Sequence, residues 1–554
     1  MSSKMKKKSK KHYRLRKKHF FAITAEMIVL FIVFQLVGNF SFVEYRNPAE
    51  SLKEKMSDQR LTELTVQMEK APNYETEEQM EYLVISKDFS EDSMEVSSVL
   101  ETLEGMKLAH YCVLTSEAEN IEVSNLPDSL RGVIICGDKE GTALSEMQRE
   151  ELVEKGIHII YTQMPGAEGI RENHLESLLG IYKMNGMLKQ QGMRFTDEVF
   201  LGGILDLEEI EYPLEDVELE PTCKIYAYGL KGLDGEDVKR NEELPPIMWR
   251  NRVGESKIFV VNGKFFEENK GYGILTAILT QIYGDYLYPV ANASVMIYDS
   301  IPYEGVANEE LIKKLYSRDS LRFQTDILMP NLVSICKRLD IVPTFYTSAD
   351  STMPEMDYFE RSVLDLQGEL IYLENASVKA IDISNPEGRI WNKYPDIPVI
   401  VTGFKKNDDD MTKLYSIGST FGVVVHKVDV SKIINPESED VNWVKVSKDY
   451  SEYIAYYQED FGAFESMTAQ EASIRYMEYR LMEPHISYRE NDIEVEIEHM
   501  PEKVSFLLRT EKEIEEASGC EYTKLCDGAY LIETEQNHIS ISLKGENAVF
   551  QGDF

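Results

Sequence analysis

Tyr288–Gly305 reads YPVANASVMIYDSIPYEG, and the fold is decided by how this stretch is read. Val295 and Ile297, β-branched and set among small and apolar neighbours, predict a buried strand. The strand ends on a carboxylate, Asp299, followed by Ser300, Ile301 and Pro302. An acid at the C-terminal end of a buried strand, with a proline-stopped turn after it, is where α/β folds present their chemistry. Asp299 is therefore the first candidate catalytic residue, flanked by Tyr298, Ser300 and Tyr303 as candidate binding residues.

Downstream the alternation continues. VMIYD, IVPTFYT, LIYLE, YPDIPVIVTGF and FGVVVHKVDV read as strands, and ANEELIKKLYSRD and TDILMPNLVSICKRLD as helices. The pattern predicts a (β/α) barrel, open or distorted, over residues 291–490. His426 closes one of these strands, with Asp429 three residues on. A functional reading makes His426 and Asp299 two parts of one pocket, as general acid and base, with Asp429 beside them. The plainer reading is a strand-end histidine bonded to a neighbouring carboxylate. Between Asp299 and His426 there is no other histidine. A divalent ion that wants imidazole and carboxylate lacks its ligands here, so no metal and no other cofactor is expected. Trp391, Tyr358 and Trp443 join Tyr298 and Tyr303 as aromatics available to a sugar, although aromatics in such folds are mostly core.

Upstream, residues 79–290 alternate in the same way. YLVIS, KLAHYCVL, GVIIC and IHIIY predict parallel strands with helices between them. LDLEEIEYPLEDVELEP follows as a densely acidic, solvated edge strand, then an apolar helix within GYGILTAILTQIYGDYLYPVANA. Residues 491–554 change to period two, as in DIEVEIEH, VSFLLRT, AYLIET and HISISLK, and predict a small β-sandwich. Cys520 and Cys526 are close enough in sequence for a bridge across a turn, but six scattered cysteines do not make a disulfide framework.

On the Tyr288–Gly305 stretch and the alternation around it, the chain resembles bacterial proteins of the DUF2194 type over roughly residues 80–550. The resemblance implies a central domain related to NodB-like polysaccharide deacetylases. Those enzymes end their first strand on two adjacent aspartates, one a base and one a metal ligand; here the second position is Ser300. Where the family pattern continues past its strand-end histidine as an H-P-D-D-like stretch, this chain has HKVD at 426–429. These departures imply a degenerate deacetylase. GVIICGDKEGTALSEMQREELVEKGIHIIYTQMP similarly resembles glutamine-amidotransferase-like domains, but no glycine-flanked elbow follows Ile157–Tyr161, so Cys136 is expected to be a buried strand-end thiol. Proteins of the DUF2194 type accompany Pel-type exopolysaccharide systems, whose polymer is partly deacetylated and cationic.

Charge is segregated along the chain. Residues 1–19 carry ten of the 59 Lys and Arg and no acid, leaving 49 basic against 97 acidic residues in the remainder. The basic run leads into FFAITAEMIVLFIVFQLVGNFSFV at 20–43, and about 20 mostly apolar residues suffice to cross a bilayer. A cytoplasmic basic flank then predicts one pass, with the N-terminus inside and the bulk of the chain outside the plasma membrane, joined by a helical linker at 44–78. An acidic exterior excludes nucleic acid as a partner and favours a cationic polymer or a basic protein.

The expected architecture is thus α/β: a single transmembrane helix, a flavodoxin/amidotransferase-like parallel-sheet domain, a deacetylase-like (β/α) barrel and a C-terminal β-sandwich. The expected role is a non-catalytic scaffold or polymer-binding component beside a membrane glycosyltransferase and export machinery. The alternative is a deacetylase or glycan hydrolase using Asp299 and His426. A sensor is a weaker third reading, because the tail holds no signalling domain.

Overall fold

Strands β1 Tyr82–Ser86, β2 His110–Leu114, β3 Gly132–Ile135 and β4 His158–Tyr161 pair in parallel, with helix α1 Met94–Gly105 between the first two in sequence. β1 and β3 are buried at every position. A strand covered on both faces needs apolar side chains throughout, which is why YLVIS and GVII show no alternation. The computed structural model describes residues 59–68, 71–90, 93–230, 240–348, 352–353, 355–372 and 400–545. The basic tail, the apolar segment 20–43, most of the expected linker and Trp391 lie outside them. Among the described residues no helix is long and apolar enough to cross a membrane. Leu64–Phe554 forms one compact unit, separate from Met1–Glu63.

The first sheet is larger than the sequence suggests. After β4 come β5 Ile181–Phe195, β6 Leu205–Leu219, β7 Lys224–Gly229, β8 Pro246–Val253 and β9 Ser256–Val261, giving nine strands in the order β2-β1-β3-β4-β9-β8-β7-β5-β6. β9 continues the parallel half beside β4, while β8, β7, β5 and β6 pair antiparallel. The acidic strand β6 does take the edge. Its carboxylates meet cations on β5, Lys183 to Glu218 at 3.0 Å and Arg194 to Asp206 at 2.6 Å. Exposed pairs of this kind stabilise little, but a charged edge resists pairing with another chain.

Helix α2 Gly271–Tyr283 is buried along its first ten residues. A helix apolar on all sides belongs between layers rather than on a surface. Beyond it, the Tyr288–Gly305 stretch holds two strands rather than one. β10 Tyr286–Val290 and β11 Ala293–Asp299 are separated by Ala291 and Asn292, and the Asn292 φ of +53° lets the chain turn. β10 joins the C-terminal sheets, and β11 founds a parallel sheet.

That parallel sheet stands where a (β/α) barrel, open or distorted, is expected. Helix α3 Met329–Leu339 leads to β12 Pro343–Thr347 and β13 Glu369–Tyr372; β14 Ile400–Thr402, helix α4 Asp408–Phe421 and β15 Val423–Asp429 complete it. Its five strands run β13-β12-β11-β15-β14, all parallel. Among the described residues the end strands β13 and β14 do not meet, and no closed barrel is found. Closure needs every strand paired on both sides, typically with about eight strands. α4 packs against α2 and joins the two large sheets. The Gly273 amide donates to Ser416 Oγ at 2.8 Å, and Thr276 and Thr420 share a hydroxyl bond of 2.8 Å.

Helices α5 Trp443–Phe461 and α6 Ala469–Leu481 lead into β16 Glu483–Arg489, β17 Asp492–Glu498, β18 Val504–Arg509, β19 Ile514–Ser518, β20 Glu521–Cys526, β21 Ala529–Thr534 and β22 His538–Leu543. They form two four-stranded antiparallel sheets, β10-β18-β21-β20 and β16-β17-β22-β19. The first takes a strand from more than two hundred residues upstream of its partner β18, so the C-terminal sheets are not confined to 491–554. All six cysteines are free thiols. Cys520 immediately precedes β20 and Cys526 ends it, about 20 Å apart at the rise of an extended strand, so the bridge considered from the sequence cannot form.

Candidate functional site

The C-terminal ends of β11 and β15 place the sequence-predicted residues. In register, Met296 lies opposite His426, Ile297 opposite Lys427 and Asp299 opposite Asp429. Side chains alternate faces along a strand. Asp299, Lys427 and Asp429 therefore share one face, and His426 shares the other with Met296 and Tyr298. Asp299 and His426 do not meet.

On the first face, the Lys427 Nζ lies 2.7 Å from Asp299 Oδ2, and both side chains are largely buried, at 8% and 18% exposure. The sequence reading passed over Lys427, because a lysine in a strand ordinarily marks a solvent face; only the register reveals its partner. The ring of Tyr346, on β12, lies 6.0 Å from the same ammonium. Ser300 follows with φ +65° and donates weakly to Asp299 Oδ1 at 3.4 Å. Asp429 is engaged locally, accepting from Ser431 N and Oγ at 3.0 and 2.6 Å. Tyr303 is pinned by its backbone, its amide donating to Gln324 Oε1 at 2.8 Å and its carbonyl accepting from Gln324 Nε2 at 3.0 Å.

The second face is sealed by α5. Tyr450, Tyr453 and Tyr457 recur at helical spacing and are all buried. Tyr457 OH bonds Ser294 Oγ at 2.8 Å, Tyr453 OH bonds His426 Nδ1 at 3.3 Å, and Tyr450 OH donates to Tyr298 OH at 3.0 Å. Tyr298 in turn reaches the Cys336 thiol of α3 at 3.7 Å. The His426 ring meets Tyr457 edge to face at 4.0 Å, and its Nε2 has no hydrogen-bond partner among the described residues. Burial pushes its pKa down to about 3, so the imidazole is neutral. Tyr298 and His426 are thus core residues of a polar tyrosine layer, closed to a ligand.

A deacetylase-type metal does not fit these residues. Its second aspartate is Ser300, and the position beside Asp299 is taken by the Lys427 ammonium. Among the described residues no group of three or more His, Cys, Asp or Glu side chains is arranged to hold a metal ion. Lys427 already supplies the positive charge that a buried carboxylate demands.

The first domain is closed in a comparable way. In open α/β sheets, ligands enter where the strand order reverses, here between β1 and β3. Glu95 of α1 fills that place: its Oε1 accepts from the Gly137 amide at 2.9 Å and from Thr162 Oγ1 at 2.5 Å. Cys136 beside it is 3% exposed, and burial pushes its thiol well above the usual range, opposite to what a nucleophile needs. Of the remaining aromatics, Trp443 is buried and Tyr358 is 37% exposed, with its hydroxyl donating to the Thr325 carbonyl at 2.9 Å.

Residues 390–531 match a family model described as an uncharacterised protein conserved in bacteria, DUF2194. The likeness is to DUF2194. The DUF2194-like segment takes in β14, α4, β15, both long helices and most of the C-terminal strands. It includes His426, Lys427 and Asp429 but not Asp299, and it is shorter than the span of about 80–550 expected from the sequence. It also runs through the boundary drawn at 490, in keeping with sheets that interlock across it. No curated protein matches the chain.

Proposed function

We propose that this chain is a non-catalytic scaffold or polymer-binding component of an exopolysaccharide system of the Pel type. In this reading it is anchored by the apolar segment 20–43, with its folded bulk outside the cytoplasmic membrane. The central parallel sheet is then a deacetylase relative that has lost its metal chemistry. The observation carrying this reading is the Lys427 ammonium held against Asp299. A base must be available to take a proton from water or substrate, whereas this carboxylate is committed to an internal cation. Two further features agree. Asp299 and His426 face opposite sides of the sheet, so they do not form the acid–base pair of the rival enzyme reading. The chain outside its first 19 residues carries about twice as many acids as bases, which suits a cationic polymer.

The test is metal analysis of the purified full-length chain, together with deacetylation assays on acetylated amino-sugar oligomers with added zinc. The expected result is no turnover above background, unchanged by Asp299→Asn. Stoichiometric metal with turnover that is abolished in an Asp299→Asn variant shown to remain folded would establish the enzyme reading instead.

A further inference from the structure

A cleft of about 530 Å³ opens where the first sheet meets the C-terminal strands, within the range of about 300–1,000 Å³ typical of small-ligand sites. One wall is Glu81 at the start of β1, the Met106–Leu108 turn after α1, and Arg131 before β3. The floor is Tyr283, Tyr286 and Leu287, and the opposite wall is β16 with Glu494 and Glu496 of β17. None of these residues belongs to the Asp299 site.

The first wall and the floor are built rigidly. Arg131 Nε donates to Glu81 Oε1 at 3.3 Å, and its guanidinium lies 4.7 Å from the Tyr283 ring centroid. Tyr283 OH donates to the same carboxylate oxygen at 3.2 Å, and its ring stacks on Tyr286 at 4.2 Å. Tyr488 of β16 reaches across, its hydroxyl bonded to both the amide and the carbonyl of Leu287 at 3.2 Å. The cations on this side are already employed. Arg131 is paired and stacked, and Lys107 donates to the Arg480 carbonyl at 2.8 Å beside the rings of Tyr479 and Tyr74. Burial, and after it the neighbouring Arg480 guanidinium, holds the Lys107 pKa down to about 7, so it contributes less than a full charge.

The opposite wall differs. β17 alternates buried Ile493, Val495 and Ile497 with acids, so Glu494 and Glu496 stand on its outer face, opposite Ser487 and His485 of β16 in register. The ion pair that Glu494 makes with Arg489 is long, at 3.7 Å, and exposed. A ligand in this cleft therefore meets the paired Arg131 and Glu81 and aromatic edges on one side and carboxylates with little internal compensation on the other. The Glu494 and Glu496 wall disfavours an anion, and Arg131 opposite is already neutralised by Glu81. A polyhydroxylated cation is complementary.

We propose that this cleft binds an oligosaccharide bearing free amino groups, with Glu494 and Glu496 taking the ammonium groups and the Arg131–Glu81 wall and the Tyr283 floor seating the sugar rings. This rests on the glycan-binding reading above and gives it a location and a chemical class.

The experiment is calorimetric titration of the full-length chain with a glucosamine tetramer and with its fully N-acetylated counterpart. It is repeated for Glu494→Gln/Glu496→Gln, whose side chains are on the surface and leave the core intact. The glucosamine tetramer should bind, weaken about tenfold in the double variant, and weaken again between about 0.05 and 0.3 M salt. The acetylated tetramer should bind at least about tenfold less tightly. Unchanged binding in the double variant overturns the cleft while leaving the glycan reading in place. Equal binding of both tetramers overturns the requirement for amines. No binding of either to the wild-type chain overturns the cleft and the glycan reading together.

Discussion

Asp299 and His426 stand on adjacent parallel strands yet face opposite sides of the sheet, because His426 lies in register with Met296 and Asp299 with Asp429. The histidine is consequently a buried core group, held neutral, which bears on acid stability. Burial holds its pKa down to about 3, against about 6.5 in an unfolded chain. The unfolded state binds the proton more readily, so His426 leaves stability intact above pH 6.5 and erodes it as pH falls toward 3. The slope is about 1.4 kcal/mol per pH unit within that window. His426→Phe removes this term. Comparing urea midpoints of the two proteins near pH 7 and near pH 4.5, the wild type should lose the more. Equal losses would mean that the imidazole is solvated or paired when charged.

The Lys427–Asp299 pair predicts a characteristic mutant cycle. Removing one member of a buried ion pair strands the other charge and typically costs about 3–5 kcal/mol, whereas replacing both is often close to neutral. Lys427→Met should therefore destabilise severely, Asp299→Asn somewhat less because the amide still accepts a hydrogen bond, and the double variant should recover most of the loss. Chemical denaturation of the four proteins measures the coupling directly. Additive losses would mean that the pair contributes nothing specific.

Much of this fold is legible in the sequence for a simple reason. Strands covered on both faces, such as YLVIS and GVII, need apolar side chains throughout, and half-covered strands such as DIEVEIE must alternate; both patterns are local. What failed was non-local. Nothing in YPVANASV says that Tyr286–Val290 leaves to pair with Val504–Arg509 while Ala293–Asp299 founds another sheet. In the antiparallel half of the first sheet the acidic edge strand is legible, but its partner β5, with Gly186 and Gly192 and many polar residues, lacks a strand's apolar signature. The site failed for the same cause. HKVD places a lysine and a histidine side by side, and alternation alone sends them to opposite faces, but which face carries Asp299 depends on register with a strand over a hundred residues away.

Cysteine chemistry should follow exposure rather than proximity in sequence. Cys520, just before β20, and Cys526, at its end, are partly exposed, while Cys136 and Cys336 are buried; burial pushes the Cys336 thiol up to about 12. In the native chain, iodoacetamide should label Cys520 and Cys526 within minutes and leave Cys136 and Cys336 untouched until denaturant is added. Peptide mass mapping reads this out. A Cys520–Cys526 disulfide after mild oxidation would contradict the extended strand between them.

The seam between the two large sheets depends on a glycine. A Cβ at Gly273 would sit 2.7 Å from the Ser416 Cα and 2.6 Å from the Phe200 ring. The ring can rotate, but the α4 backbone cannot yield without moving the helix. The same approach lets the Gly273 amide reach Ser416 Oγ at 2.8 Å, which in turn donates to the Asn269 carbonyl at 2.6 Å. In an isolated helix alanine is better than glycine by about 1 kcal/mol, so local propensity favours Gly273→Ala. Overpacking opposes it by about 1–3 kcal/mol, and the parted hydrogen bonds add to the loss. The net effect should be destabilising by about 2 kcal/mol, and hydrogen exchange should quicken along both α2 and α4. Ser416→Ala, which removes the hydroxyl and leaves the spacing, should cost about 1 kcal/mol. If Gly273→Ala is neutral or stabilising, helix propensity outweighs the seam, and the two sheets are held together elsewhere.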